Sequence, residues 1–126
     1  MECPAEIVVP VRAESVKVAR DWIEAVLGTW GQDAYVAKVV VSELVTNVLR
    51  HTRSATATVR VVRADKGTVV EVFDSSNALP VAGSANLLSE GGRGLAMLGF
   101  LVKEWGAQPL GGGGKAVWAL LPESTS

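Results

Sequence analysis

Glu43 and Asn47 stand four residues apart in a chain of 126 residues, and a helix of about 3.6 residues per turn stacks such a pair on one face. Val39, Val40, Leu44 and Val48 make their surroundings apolar. There a carboxylate can take a proton or orient a hydroxyl or water, and an amide oxygen can ligate a hard cation such as magnesium. Further on, Asp74 ends the β-rich run 68–73, where its carboxylate can accept a hydrogen bond from an exocyclic amine such as that of adenine. Gly91-Gly92-Arg93-Gly94-Leu95 then opens a helix, and backbone N–H groups, a positive dipole end and a guanidinium are what a phosphate needs. An acid, an amide, a second carboxylate and a glycine-rich helix start together describe a nucleotide site.

Each residue also has a plainer use. Asn47 can bond a neighbouring loop, Glu43 can be solvated or paired with Arg50 or Arg53, and His51 suits the negative end of a helix. Asp74 can simply turn the chain at a strand end, and glycines before a helix can be a flexible junction. The run Gly111-Gly112-Gly113-Gly114-Lys115 has the look of a phosphate-binding loop. However, Pro109 stands where its first glycine belongs, Ala116 replaces the hydroxyl residue, and a strand follows instead of a helix, so a β-turn is the reading.

The elements that must hold these residues follow from periodicity. Ile7 to Val11 reads as a first strand, with Pro10 marking an edge. Val16, Ala19, Trp22, Ile23, Val26 and Leu27 recur at helical spacing from about 13 to 27, and Gly28 suits the stop. Asp33 can cap a second helix reaching about Thr52. Strands over 57–64 and 68–73 flank Asp65-Lys66-Gly67, a hairpin signal. Residues 75–91 are an aperiodic loop long enough to have a function. A third helix over 93–103 and strands over 104–108 and 115–121 complete the order βααββαββ. This predicts one α/β domain over residues 1–126, a two-layer sandwich with a mixed β-sheet covered by helices on one face.

Composition narrows the class. Lys plus Arg number 12 against 13 Asp plus Glu, for a net charge of −1, a balance that argues against nucleic acid as a partner. One cysteine rules out an internal disulfide and a cysteine-based zinc site. No signal-peptide pattern and no run of 18 apolar residues occurs, which predicts a cytoplasmic protein with no membrane association. The hydrophobic content of 48% and mean hydropathy of +0.29 are high for this size and predict a surface covered by a partner. A homodimer through the first strand and first helix, with Trp22 or Trp30 as an anchor, is the expectation.

Taken together, the motifs resemble the ATPase fold shared by gyrase, the Hsp90 chaperone, histidine kinases and the mismatch-repair MutL proteins. They are most similar to its small anti-sigma factor serine kinase branch. Ser42-Glu43-Leu44-Val45-Thr46-Asn47-Val48-Leu49-Arg50-His51 resembles that branch's N box. Val72-Phe73-Asp74-Ser75-Ser76-Asn77-Ala78-Leu79-Pro80 resembles the first glycine box, Gly92-Arg93-Gly94-Leu95-Ala96-Met97-Leu98 the second, and Gly114-Lys115-Ala116-Val117-Trp118 the closing strand. The correspondence keeps order and spacing from the first strand to Leu121.

The resemblance implies ATP and Mg2+ bound between the helical layer and a lid over residues 75–94. It makes Asn47 the magnesium ligand, Glu43 the general base toward a protein serine, and Asp74 the reader of the adenine amine. Gly92 and Gly94 would approach the phosphates, with Arg50, Ser76, Ala78, Arg93 and Leu95 completing the nucleotide contacts. The branch's partners are a sigma factor, which it sequesters, and an anti-anti-sigma protein, which it phosphorylates; its members commonly dimerise. The chain departs from the pattern at Ser76 and Ala78, where glycines are usual, at Glu90, where some kinases of the branch carry arginine, and at Ala116, where a threonine near the adenine is common. Those departures leave a catalytically inactive binding module of the same fold as the alternative.

Overall fold

A computed structural model describes residues 4–51, 54–75, 98–111 and 113–122. Strand β1 (Ala5–Pro10) leads into helices α1 (Glu14–Thr29) and α2 (Tyr35–His51), followed by strands β2 (Thr56–Ala64), β3 (Gly67–Asp74), β4 (Glu104–Pro109) and β5 (Lys115–Leu120). Of the expected third helix over 93–103, residues 98–103 fall within the described residues; 98–101 are helical, and Val102 and Lys103 already form a bend before β4. The strands form one sheet in the order β1-β2-β3-β5-β4. The two-layer α/β sandwich expected from the sequence is the architecture that forms. Every ladder among the described residues is antiparallel, so the parallel pairing that a mixed sheet would contain is not among them. The hairpins β2–β3 and β4–β5 account for two of those ladders, as short connections between adjacent strands require.

Helix α1 outlasts the Gly28 stop. The Gln32 N–H bonds the Leu27 carbonyl at 2.9 Å and the Gly31 N–H bonds Gly28 at 3.1 Å, while Gly31 adopts φ +69°. This is a Schellman closure with the left-handed glycine one turn later than periodicity placed it. Gln32 then accepts a hydrogen bond from the hydroxyl of buried Thr68 at 3.0 Å, tying the α1–α2 connection to the start of β3. The first bond of α2 runs from the Lys38 N–H to the Ala34 carbonyl at 2.8 Å, one residue beyond the expected Asp33 cap.

The core lies between α1, α2 and one sheet face. Ile23, Leu27, Val40, Val41, Leu44 and Val45 pack onto Val59, Val61, Val70, Val72 and Ala119. Alternation along β3 sends Thr68, Val70, Val72 and Asp74 to this face. On the opposite face, directly paired Arg60 and Glu71 bond at 2.7 Å, and Arg60 also lies 4.7 Å above the Phe73 ring. The hydrogen bond to Glu71 keeps the Arg60 guanidinium protonated beyond its ordinary range. It also pins the β2–β3 register, on which the direction of Asp74 depends.

Leu44 is 1% exposed and seats α2 on the sheet. Leu44→Ala is expected to lower unfolding stability by about 2–5 kcal/mol, the range for a buried leucine that leaves a cavity. Val18→Ala on the exposed side of α1 should change it by less than about 0.5 kcal/mol. Urea denaturation of both variants measures the difference.

Candidate functional site

Glu43 and Asn47 are one turn apart on α2, and both are partly buried. Their stripe borders the core-facing residues Val40, Leu44 and Val48. It lies roughly 140–180° around the helix from Lys38, counting about 100° per residue, and Lys38 reaches across to Glu24 of α1 at 3.4 Å. The pair therefore occupies the shoulder of α2 turned away from α1. Arg50, in the last turn of the same helix, is exposed.

A short tether brings the end of α2 to Asp74. Three residues beyond His51, buried Ser54 accepts a hydrogen bond from the Ser75 N–H at 3.1 Å and bonds the Ser75 hydroxyl at 3.0 Å. Its own hydroxyl donates to the Thr56 carbonyl at 2.6 Å. Ala57, near the start of β2, pairs with Asp74 in the ladder. The C-terminal end of α2, with Asn47 one turn back, thus sits at the same end of the sheet as Asp74. Neither Ser54 nor Ser75 carries a sequence signal for this role, because their contact spans 21 residues.

Asp74 is not a bare acceptor. Its side chain is 0% exposed, and Lys115 from the neighbouring strand, 6% exposed, lies with Nζ 3.0 Å from Oδ2 and 3.2 Å from Oδ1. Directly paired residues of an antiparallel ladder share a face, and Asp74 pairs with Lys115 while Phe73 pairs with Ala116. This corrects the expectation about the closing strand: Ala116 faces away from Asp74, and Lys115 is the side chain across from it. The lysine ending the glycine run is therefore an ion-pair partner, and the run itself is the expected turn, closed by Leu110 N–H to Gly114 carbonyl at 3.0 Å. Gly114 makes the approach possible. At φ +88° a Cβ there would lie 2.3 Å from the Asp74 carbonyl oxygen, so only glycine fits.

Among the described residues no group of three or more His, Cys, Asp and Glu could hold a metal by itself. A magnesium ion carried by phosphates needs only one or two protein oxygens, and Asn47 on its half-buried shoulder offers one. Asp74 and Lys115 set a carboxylate and an ammonium side by side at adjoining strand ends. Ser76, Ala78, Gly92, Arg93, Gly94 and Leu95 lie outside the described residues, as does Glu90. Trp22 and Trp30, expected as dimer anchors, are partly buried and pack against the core, and Trp30 carries Arg63 at 5.4 Å from its ring.

Removing one partner of a buried ion pair strands the other charge. Lys115→Met should cost about 3–5 kcal/mol of stability, and the double variant Asp74→Asn/Lys115→Met should recover most of that loss. Chemical denaturation of the wild type, both single variants and the double variant checks the coupling.

The comparisons with known proteins bear on the fold and the family. The crystal structure of the RsbU and RsbW domains of Rv1364c from Mycobacterium tuberculosis superposes with a TM-score of 0.66 at 20% identity, over 98% of this chain and 34% of that one. The chain thus spans about a third of that protein's length, and the likeness is one of fold. No curated protein matches the sequence. The family model of the histidine kinase-like ATPase domain matches residues 9–120, from the core end of β1 to the last residue of β5, and the chain belongs to that family.

Proposed function

We propose that this domain binds a nucleoside triphosphate with magnesium and acts as an anti-sigma-type regulator with protein-serine kinase activity. What supports the reading is that the C-terminal end of α2, with Asn47 one turn back, and buried Asp74 lie at the same end of the sheet in a chain of the histidine kinase-like ATPase family. In this reading Asp74 receives the base, the Asn47 amide oxygen takes one magnesium position, and Glu43 draws the proton from an incoming serine hydroxyl. The hydroxyl oxygen then attacks the terminal phosphorus and the nucleoside diphosphate leaves. Gly92, Arg93, Gly94 and Leu95 hold the phosphates, with Arg50, Ser76 and Ala78 beside them. The partners are a sigma factor, which is sequestered, and an anti-anti-sigma protein, which accepts the phosphate. Similarity of fold to a structure that includes an RsbW domain accords with this assignment.

The Asp74–Lys115 pair favours a second reading, a binding module that captures its partner and holds nucleotide weakly, because a base must engage a carboxylate that already has a cation. As for assembly, β1 is an edge of the described sheet, and Val8 on it is 58% exposed. We assign the homodimer contact to that edge. No helix among the described residues is long and apolar enough to cross a membrane.

Calorimetric titration with ATP, with and without magnesium, tests the kinase reading. Asn47→Ala is expected to abolish the magnesium-dependent part of the affinity, while Glu43→Ala should keep binding and slow phosphate transfer by at least about a hundredfold, as loss of a general base does. Saturable binding without transfer to any serine would select the module. No saturable binding would end the nucleotide reading.

A further inference from the structure

We propose that the outer face of the sheet, around Trp118, docks a basic segment of a partner protein, with an arginine stacked on the indole and its charge met by the carboxylates around it. This surface lies on the side of the sheet away from α1 and α2, so the inference stands apart from the nucleotide reading.

The ladders set the floor. Trp118 pairs with Glu71 of β3 on one side and with Gly106 of β4 on the other, and Leu120 pairs with Val69 and Glu104. Alternation therefore puts Val69, Glu71, Trp118 and Leu120 on the face opposite the core residues Val70, Val72, Val117 and Ala119. Gly106 makes room for the ring. A Cβ there would lie 3.0 to 3.1 Å from three atoms of the indole, so the missing side chain is what lets the ring lie over β4. Trp118 stays partly exposed, and with Val69 and Leu120 it floors a groove of about 520 Å³.

The rim sets the charge of the occupant. Asp65 at the β2–β3 turn, Glu71 and Glu104 bring three carboxylates to the groove, against the one ammonium of Lys66. Arg60 holds Glu71 from beyond the groove at 2.7 Å, and counting it still leaves the excess negative. An apolar floor inside an acidic rim suits a segment that is basic and partly apolar, and it disfavours an acidic one.

The chain already makes such a contact for two of its own rings. Arg60 lies 4.7 Å above Phe73 on this same face while bonding Glu71, and Arg63 lies 5.4 Å from the Trp30 ring. Among the described residues no cation lies on Trp118, although Glu71 is its direct partner in the ladder. A guanidinium can stack on an aromatic face and fork to a carboxylate at once, which a compact ammonium does less well. An arginine from outside thus repeats, on the Trp118 side of Glu71, what Arg60 makes on the Phe73 side.

The experiment is an NMR titration of the full chain with a capped hexapeptide of alternating arginine and leucine. The indole N–H of Trp118 is assigned by triple-resonance spectra of the wild type, so its reading needs no variant. The expected result is a saturable shift of that signal, with the signals of Trp22 and Trp30 unmoved. Citrulline in place of arginine, which keeps the shape and removes the charge, should weaken binding by at least about threefold, the size of a modest cation–aromatic contact. Glu104→Lys, a change at an exposed rim position that the fold tolerates, should weaken the arginine peptide by at least a similar factor. A Trp118 signal that stays in place at millimolar peptide overturns the proposal, as does a smaller loss than this with citrulline or with Glu104→Lys. A Trp118 signal that moves with protein concentration alone shows that a second copy covers this face, and it overturns the proposal too. None of these outcomes bears on nucleotide binding.

Discussion

Asp74 is buried together with a cation. A lone carboxylate transferred from water into an apolar layer is too costly to remain charged, and the ion pair with Lys115 makes the placement possible. Much of the site's geometry serves that pairing. The β3–β5 register sets the two residues opposite each other, Gly114 removes the side chain that would hold the strands apart, and the Arg60–Glu71 bridge on the far face steadies the β2–β3 register. A shift of one residue in any of these ladders would turn the carboxylate to the other face of the sheet.

The helical layer depends on the same sheet face. Leu44 and its neighbours bury the inner side of α2, which leaves Glu43 and Asn47 half-buried on its shoulder. The end of α2 is tied to the end of β3 through Ser54, whose hydroxyl receives the backbone N–H of Ser75. Two backbone segments that meet through one serine thereby join the helix that bears the acid and amide to the strand that bears the second carboxylate.

The Asp74–Lys115 pair also gives the polar end of the sheet a stable interior, since the two charges lie within 3.2 Å of each other. Removing either one would strand the other in an apolar layer, so the pair stands or falls together.

Local order was largely legible in the sequence. Apolar spacing set both long helices to within a few residues, alternation set the strands, and Asp65-Lys66 marked the β2–β3 turn. The stacking of Glu43 on Asn47 followed from helical geometry alone, and the boxes around Asn47 and Asp74 pointed to the family to which the chain belongs. These features depend on residues near one another in the chain, where periodicity and turn chemistry act directly. The stop of α1 at Gly31 was less legible, because a glycine three residues earlier satisfies the same rule and only the carbonyls that remained to be bonded decided between them. What the tertiary structure alone decided is the partner of Asp74. Lys115 is 41 residues away, and its neighbour Ala116 is as close in sequence. Which of the two faces the carboxylate is a question of strand register, and register is set by cross-strand packing and by the glycine that lets the strands meet.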